Sequence, residues 1–297
     1  MREPIYLVDA SIYIFRAYFS IPPNFVANNG QAVNAVYGYS NFLLDLLEKE
    51  PEHISCAFDE SLNNCYRNRI YPEYKANREL PDANLEFQLA SCRKVTELLG
   101  IHSLGLHDYE ADDIIGTLQR RLAVDRSAII VTRDKDLGQL LRENDLMWDF
   151  ANDSYSGPNE VKAKFGVEPD QIPDYLALAG DSVDNIPGVS GVGAKTASFL
   201  LNHFTDIDGL YDHLDEIEDT GLRGAKKIKA RLIEQEAAVR VFQKITRIMC
   251  DIELEVGLED LRPAPIDSQK VAVFFQSMNF GDRLERRVRD LMRGVST

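Results

Sequence analysis

Carboxylates are the residues best placed to do chemistry, and two short clusters concentrate them: Glu110-Ala-Asp112-Asp113 and Asp134-Lys135-Asp136. Between the clusters, Ile114, Ile115, Leu118 and Leu122 recur at helical spacing, and Ser127-Ala-Ile-Ile-Val-Thr132 reads as a buried strand of a parallel sheet. The acids therefore fall at a helix start and just past a strand's carboxyl end, the edge where open α/β sheets bind ligands. Carboxylates brought together repel, so either some take up protons or a multivalent cation neutralises them. With no companion His or Cys, oxygen ligands suit Mg²⁺ or Mn²⁺ rather than zinc. Each cluster alone also suits an acidic first helical turn or an N-cap, and the rest of the chain has to decide.

The strand-end device recurs. Ile5-Tyr-Leu-Val8 runs into Asp9 and Ile54-Ser-Cys-Ala-Phe58 into Asp59. One such Asp is commonly a turn former; its repetition favours the metal reading. Arg16 follows Asp9 in an aromatic-rich segment, where a cation could hold a phosphate, while Tyr13, Phe15, Tyr18 and Phe19 read as core before they read as a stacking platform. Asp181 and Asp184, three apart, would share a face within one helical turn. Beyond them Gly188, Gly191 and Gly193 form a tight turn opening an apolar helix through Phe199, Leu200 and Leu201. Backbone amides at such a helix start suit sequence-independent phosphate binding, and the spacing is not that of a P-loop. From Leu62 to Leu85, Arg67, Arg69, Lys75 and Arg78 interleave with Tyr66, Tyr71 and Tyr74. This composition suits phosphate contacts and base stacking, and equally a solvated loop anchored by tyrosines.

Helical patterns over Val33–Glu48 and Ala83–Leu99 alternate with short strands at Ile101–Leu104 and Leu146–Phe150, with a short helix expected after Asp136 and turns over Asn152–Pro158. That alternation implies an α/β fold with a mostly parallel central sheet. The 297 residues, 44% hydrophobic and 27% charged, suit a large domain with a smaller one. No apolar run is long enough for a membrane span and the start lacks a signal peptide's apolar segment, so no membrane association and a cytoplasmic location are expected. The four cysteines lack CxxC spacing, which leaves reduced thiols as the default. A net charge of −15 argues against strong non-specific affinity for nucleic acid. Local basic patches still act within a screening length of about 10 Å, and Arg223, Lys226, Lys227, Lys229 and Arg231 form one. Arg283 to Arg293 reads as a docked amphipathic terminal helix.

Taken together, the motifs Leu-Val-Asp9, Ala-Phe-Asp59, Tyr74-Lys75-Ala-Asn-Arg78, Tyr109-Glu110-Ala-Asp112-Asp113, Thr132-Arg-Asp134-Lys-Asp136, Gly180-Asp181-Ser-Val-Asp184-Asn-Ile-Pro and Gly188-Val-Ser-Gly191-Val-Gly193-Ala-Lys195-Thr196 resemble the 5′-nuclease, or flap endonuclease, family over nearly the whole chain. The resemblance implies a PIN-like nuclease core over 1–173, with a helical arch at about 62–85, and a helix-hairpin-helix subdomain with C-terminal helices over 174–297. It gathers Asp9, Asp59, Glu110 and Asp112 mainly round one Mg²⁺ and Asp134, Asp136, Asp181 and Asp184 mainly round a second, with Asp113 also in the acidic site, Asp112 near both ions and Mn²⁺ as a substitute. Two ions about 4 Å apart would clamp the scissile phosphate. It places Lys75 and Arg78 over that phosphate, Arg16 near it and Tyr74 stacked by the terminal nucleotide. Gly188, Gly191, Gly193, Lys195 and Thr196 would grip duplex backbone beside a K⁺ ion. The expected protein is a stand-alone, monomeric 5′-nuclease acting on DNA with a 5′ flap or 5′ end. A related metal-dependent ribonuclease has no need of the Gly-rich hairpin, and a catalytically silent DNA-binding protein would have lost acids at the strand ends. Ala10-Ser11 and Arg133 depart from the family pattern.

Overall fold

The computed structural model describes residues 2–60 and 64–294. Of the expected arch, Leu62 and Asn63 lie outside the described residues. The chain divides into two compact units: Met1–Glu60, Glu79–Arg133 and Cys250–Thr297 form the first, Ser61–Arg78 and Asp134–Met249 the second.

The first unit is built on parallel strands β1 (Ile5–Asp9), β2 (His53–Asp59), β3 (His102–Leu106) and β4 (Ala128–Val131), in the order β3-β2-β1-β4. Val8 stands opposite both Cys56 and Val131, and Asp9 opposite Ala57, so β1 and β2 finish almost level. Their near-continuous burial is what a parallel sheet covered on both faces requires. The helix Ala111–Leu122 packs along β1, β2 and β3, while Ala10–Ser20, Asn34–Leu47 and Ala83–Leu98 pack on one another in succession. The terminal helix Asp282–Gly294 docks on Asn34–Leu47 as expected. It buries Leu284 and Val288, each contributing about 2 kcal/mol, and sets Arg287 between Asp45 at 2.5 Å and Glu48 at 2.7 Å.

The second unit is mainly helical. Ile172–Ala179, Ala194–Phe204 and Ala225–Thr246 form its body, with the short helix Tyr66–Ile70 laid against the last. Several expectations are corrected here. Asn152–Pro158 holds a strand as well as turns: β5 (Leu146–Asp149) pairs antiparallel with β6 (Ser154–Ser156), and Tyr155 stacks on Trp148 at 5.2 Å. Three residues are too few to show a strand's periodicity. The segment after Asp136 is a 3₁₀ turn, Asp136–Leu140. Arg67, read as a surface cation, is 2% exposed and donates to the carbonyls of Ile245 (2.8 Å) and Arg247 (3.3 Å), closing the C-terminus of Ala225–Thr246. Tyr66 and Tyr74 are buried and Tyr71 packs edge-on against Phe242, so these tyrosines anchor the segment. In the first unit, Phe19 is 78% exposed, against the core reading of its aromatic cluster.

Among the described residues, no helix is long and apolar enough to cross a membrane. Cys56, Cys65, Cys92 and Cys250 are all reduced thiols.

Candidate metal centre

In the first unit, sheet register and helix capping bring the acids together. Asp9 ends β1, caps the helix that follows it, and accepts from the Thr132 hydroxyl at 3.0 Å. Asp59 ends β2; its Oδ1 accepts the Ala111 N–H at 2.9 Å, and its own N–H donates to Ser11 Oγ at 3.3 Å. Glu110 caps the helix Ala111–Leu122, and Asp113 returns a carboxylate oxygen to the Glu110 N–H at 3.1 Å. The positive end of that helix favours the charges of Glu110, Asp112 and Asp113. Asp9, Glu110 and Asp113 are buried and Asp59 and Asp112 half-buried. Ser11, one of the departures from the family pattern, ties the ends of β1 and β2, and Thr132 orients Asp9. Neither role is legible in the sequence, because a hydroxyl's partner cannot be assigned from spacing alone. Arg16 is exposed on its helix.

In the second unit, Asp181 and Asp184 do not share a helical face. The helix stops at Gly180, whose φ of 82° and close packing on the Ile186 and Pro187 carbonyls suit glycine alone. Asp181 and Ile186 then bond each other's backbones, both at 2.7 Å, closing a turn that carries Asp184. The Asp184 carboxylate accepts from the Tyr74 hydroxyl at 3.0 Å and the Arg78 guanidinium at 2.8 Å, with the Lys75 ammonium at 4.0 Å. Bonds to main-chain carbonyls clasp the same segment: the Lys75 N–H to Asp184 at 3.0 Å, the Asn185 side-chain amide to Glu73 at 2.7 Å and the Asn77 side-chain amide to Ser182 at 3.1 Å. Asp134 accepts the Asp136 N–H at 2.9 Å. Lys135 hydrogen-bonds Asp181 and stands 3.3 Å from Asp136 Oδ1, outside hydrogen-bonding geometry, so that among the described residues this buried oxygen has no hydrogen-bond partner. Burial, then repulsion from Asp134, Asp184 and Asp181, pushes the Asp136 carboxyl up to about 7 against the opposing pull of Lys135.

Among the described residues, no three acid, histidine or cysteine side chains already enclose a point where a metal ion would sit. The donor chemistry still fits a hard divalent cation. All the candidate ligands are carboxylates, one buried oxygen has no hydrogen-bond partner among the described residues, and burial together with repulsion from neighbouring acids raises Asp136.

The Gly-rich turn follows in the same unit. Gly188 has a φ of 66°, and a β-carbon there would lie 2.4 Å from the Gly180 nitrogen. Val189 and Val192 are buried beneath the turn, while Gly191, Gly193 and Lys195 are exposed and Thr196 is half-buried at the start of Ala194–Phe204. Of the downstream basic patch, Arg231 donates to the Ser190 carbonyl at 2.6 Å and braces this turn. Lys229 pairs with Asp215 at 2.6 Å, whereas Arg223, Lys226 and Lys227 are exposed.

Comparison with known proteins agrees with this architecture. Residues 4–166 match the 5′-3′ exonuclease, N-terminal resolvase-like domain, and residues 167–269 the 5′-3′ exonuclease, C-terminal SAM fold. The 5′-3′ exonuclease of Aquifex aeolicus is 32% identical over 95% of this chain and 94% of its own length. DNA polymerase I of Pseudomonas aeruginosa is 35% identical over 97% of this chain, which spans only 32% of that protein. Among solved structures, the phage T5 5′-exonuclease with bound zinc aligns with a TM-score of 0.67 at 16% identity, covering 98% of this chain and 99% of that one. The catalytic core of Rad2 with DNA substrate aligns with a TM-score of 0.66 at 15% identity, covering 98% and 92%. The two matched domains place the chain, by class, among nucleases. The chain belongs to the 5′-3′ exonuclease family.

Proposed function

We propose that this chain is a structure-specific 5′-nuclease that hydrolyses DNA phosphodiesters near a 5′ end or 5′-flap junction and depends on Mg²⁺, with Mn²⁺ as a substitute. The observation that carries the reading is the set of buried and half-buried carboxylates at the strand ends and helix start of the first unit, held by the Thr132 hydroxyl and main-chain donors. We assign Asp9, Asp59, Glu110 and Asp112 to one ion, Asp134, Asp136, Asp181 and Asp184 to another, and Asp113 to holding the first set in place. Bound divalent ions supply an activated water and stabilisation of the leaving oxygen. Lys75 and Arg78 lend positive charge to the phosphate, with Arg16 as a further contact, and Tyr74 keeps Lys75 and Asp184 in place. The amides of Gly188, Gly191 and Gly193, with Lys195 and Thr196, hold duplex backbone, and K⁺ is the cation suited to the turn's carbonyls. The working form is a monomer in the cytoplasm, where free thiols persist.

The test is a 5′-labelled flap duplex incubated with the protein, with Mg²⁺ or with excess chelator. Short labelled products ending near the junction, in Mg²⁺ only, are expected. Asp134→Ala should lower cleavage by at least about a thousandfold and leave flap binding largely intact. Binding without cleavage in the unsubstituted protein would mark a silent DNA-binding protein, and neither activity would direct attention to single-stranded RNA.

A further inference from the structure

The second unit carries a charged side chain that the nuclease reading does not use. Lys135 lies between Asp134 and Asp136 in sequence, and its side chain turns back into the acids. Its ammonium hydrogen-bonds Asp181 Oδ2 and lies 3.3 Å from Asp136 Oδ1. Asp181 Oδ1 is already taken by the Val183 N–H at 2.9 Å, which leaves Oδ2 to face a cation. Asp136 Oδ1 is buried without a hydrogen bond. The ammonium thus stands beside two carboxylate oxygens that face inward in this cluster, Asp181 Oδ2 and Asp136 Oδ1. Its side chain is 34% exposed, against 17% for Asp136 and 5% for Asp181, so it reaches in from solvent. The backbone beneath it is fixed by the Asp136 N–H to Asp134 Oδ1 and the Gly138 N–H to the Lys135 carbonyl, at 3.0 Å. Only the side chain has to move to vacate the cluster. A lysine is suited to this, being a compact charge on a flexible stem.

We infer that Lys135 is the resident counter-cation of the second unit's acids: it holds Asp136 and Asp181 while no divalent ion is bound, and it is displaced when one binds. This rests on the metal assignment above and deepens it. Lys135 touches the ligands rather than the substrate, so it is a positioning residue. Two consequences follow: divalent ions bind this cluster in competition with a tethered ammonium, and the metal-free protein is spared part of the repulsion among its acids.

The experiment is a calorimetric titration of the full chain with MnCl₂ alone, without DNA, on the unsubstituted protein, Lys135→Gln, Lys135→Arg and, as a charge control, the exposed Lys164→Gln. Lys135→Gln should tighten the weaker Mn²⁺ site by about tenfold or more, equivalent to about 1.4 kcal/mol. It should also lower Tm in chelator and enlarge the rise in Tm that Mn²⁺ produces. Lys135→Arg should stay within a few-fold of the original affinity, and Lys164→Gln should change nothing. In the unsubstituted protein, the Lys135 side-chain NMR signal should shift on saturation with Mg²⁺, a readout independent of whether the variants fold. Unchanged or weaker Mn²⁺ affinity in folded Lys135→Gln, or an unmoved Lys135 signal at saturation, would overturn the counter-cation role and leave the nuclease reading standing. Absence of any divalent binding by the unsubstituted protein would overturn the metal assignment itself.

Discussion

In the first unit the acids are steadied by neutral donors: the Ala111 N–H for Asp59, the Thr132 hydroxyl for Asp9 and the Glu110 N–H for Asp113. In the second unit Asp181 and Asp184 face the charged groups of Lys135, Arg78 and Lys75. A neutral donor orients a carboxylate and leaves most of its negative charge available to a cation. A cationic partner orients it and neutralises it as well, so a metal ion must exchange with that partner. On the proposed metal assignment, the first unit offers carboxylates held by neutral groups, and the second holds acids under an internal charge balance that metal binding would have to rearrange.

Substitutions can break this comparison or sharpen it. The largest effect on stability should come from Gly188→Ala, which forces a side chain into a left-handed backbone against the main chain of Ala179 and Gly180. A loss of about 2–3 kcal/mol is expected by thermal or urea unfolding, and a loss below about 0.5 kcal/mol would mean that the turn carrying the second set of acids adapts freely. Asp113→Ala removes a fully buried carboxylate from the start of Ala111–Leu122 and should cost about 1–2 kcal/mol. The Glu110 N–H that Asp113 accepts from is neutral, so this bond's share of the cost should change little between low and high salt; strong salt dependence would contradict the contrast between the units. Thr132→Val deletes one hydroxyl donor to Asp9 and should cost about 1 kcal/mol, with weaker divalent binding measured in parallel. Arg78→Gln should change stability least, by under about 1 kcal/mol, since its side chain is 39% exposed and solvent screens the pair. Its Mn²⁺ affinity should rise, whereas that of Thr132→Val should fall, and the opposite signs are the sharpest form of the comparison.

Much of the fold was legible because its causes are local. Buried β-rich runs ending in Asp9 and Asp59, the self-capping Glu110-Ala-Asp112-Asp113 and the spacing of Ile114, Ile115 and Leu118 each state an element within a few residues. The terminal helix was equally readable from the stripe of Leu284 and Val288. The hairpin through Ser154–Ser156 escaped because its strand is too short and is held by Tyr155 on Trp148. Asp181 and Asp184 were set on a helical face because three-residue spacing permits it, but the backbone bonds of Asp181 with Ile186 make a turn instead.

The sequence by itself determined which groups are available: the acids at strand ends and a helix start, the Gly-rich turn and the cations of the Tyr74–Arg78 segment. Those follow from side-chain type and short-range periodicity, and the family resemblance read the same motifs. Only the tertiary structure decided which charge each group meets. It turned Arg67 into a buried helix cap and bonded Tyr74 to Asp184 across more than a hundred residues. It also folded Lys135 back onto Asp181. Hydrogen bonds and ion pairs act over a few ångströms, and the packing of distant segments sets those distances; composition and spacing along the chain do not.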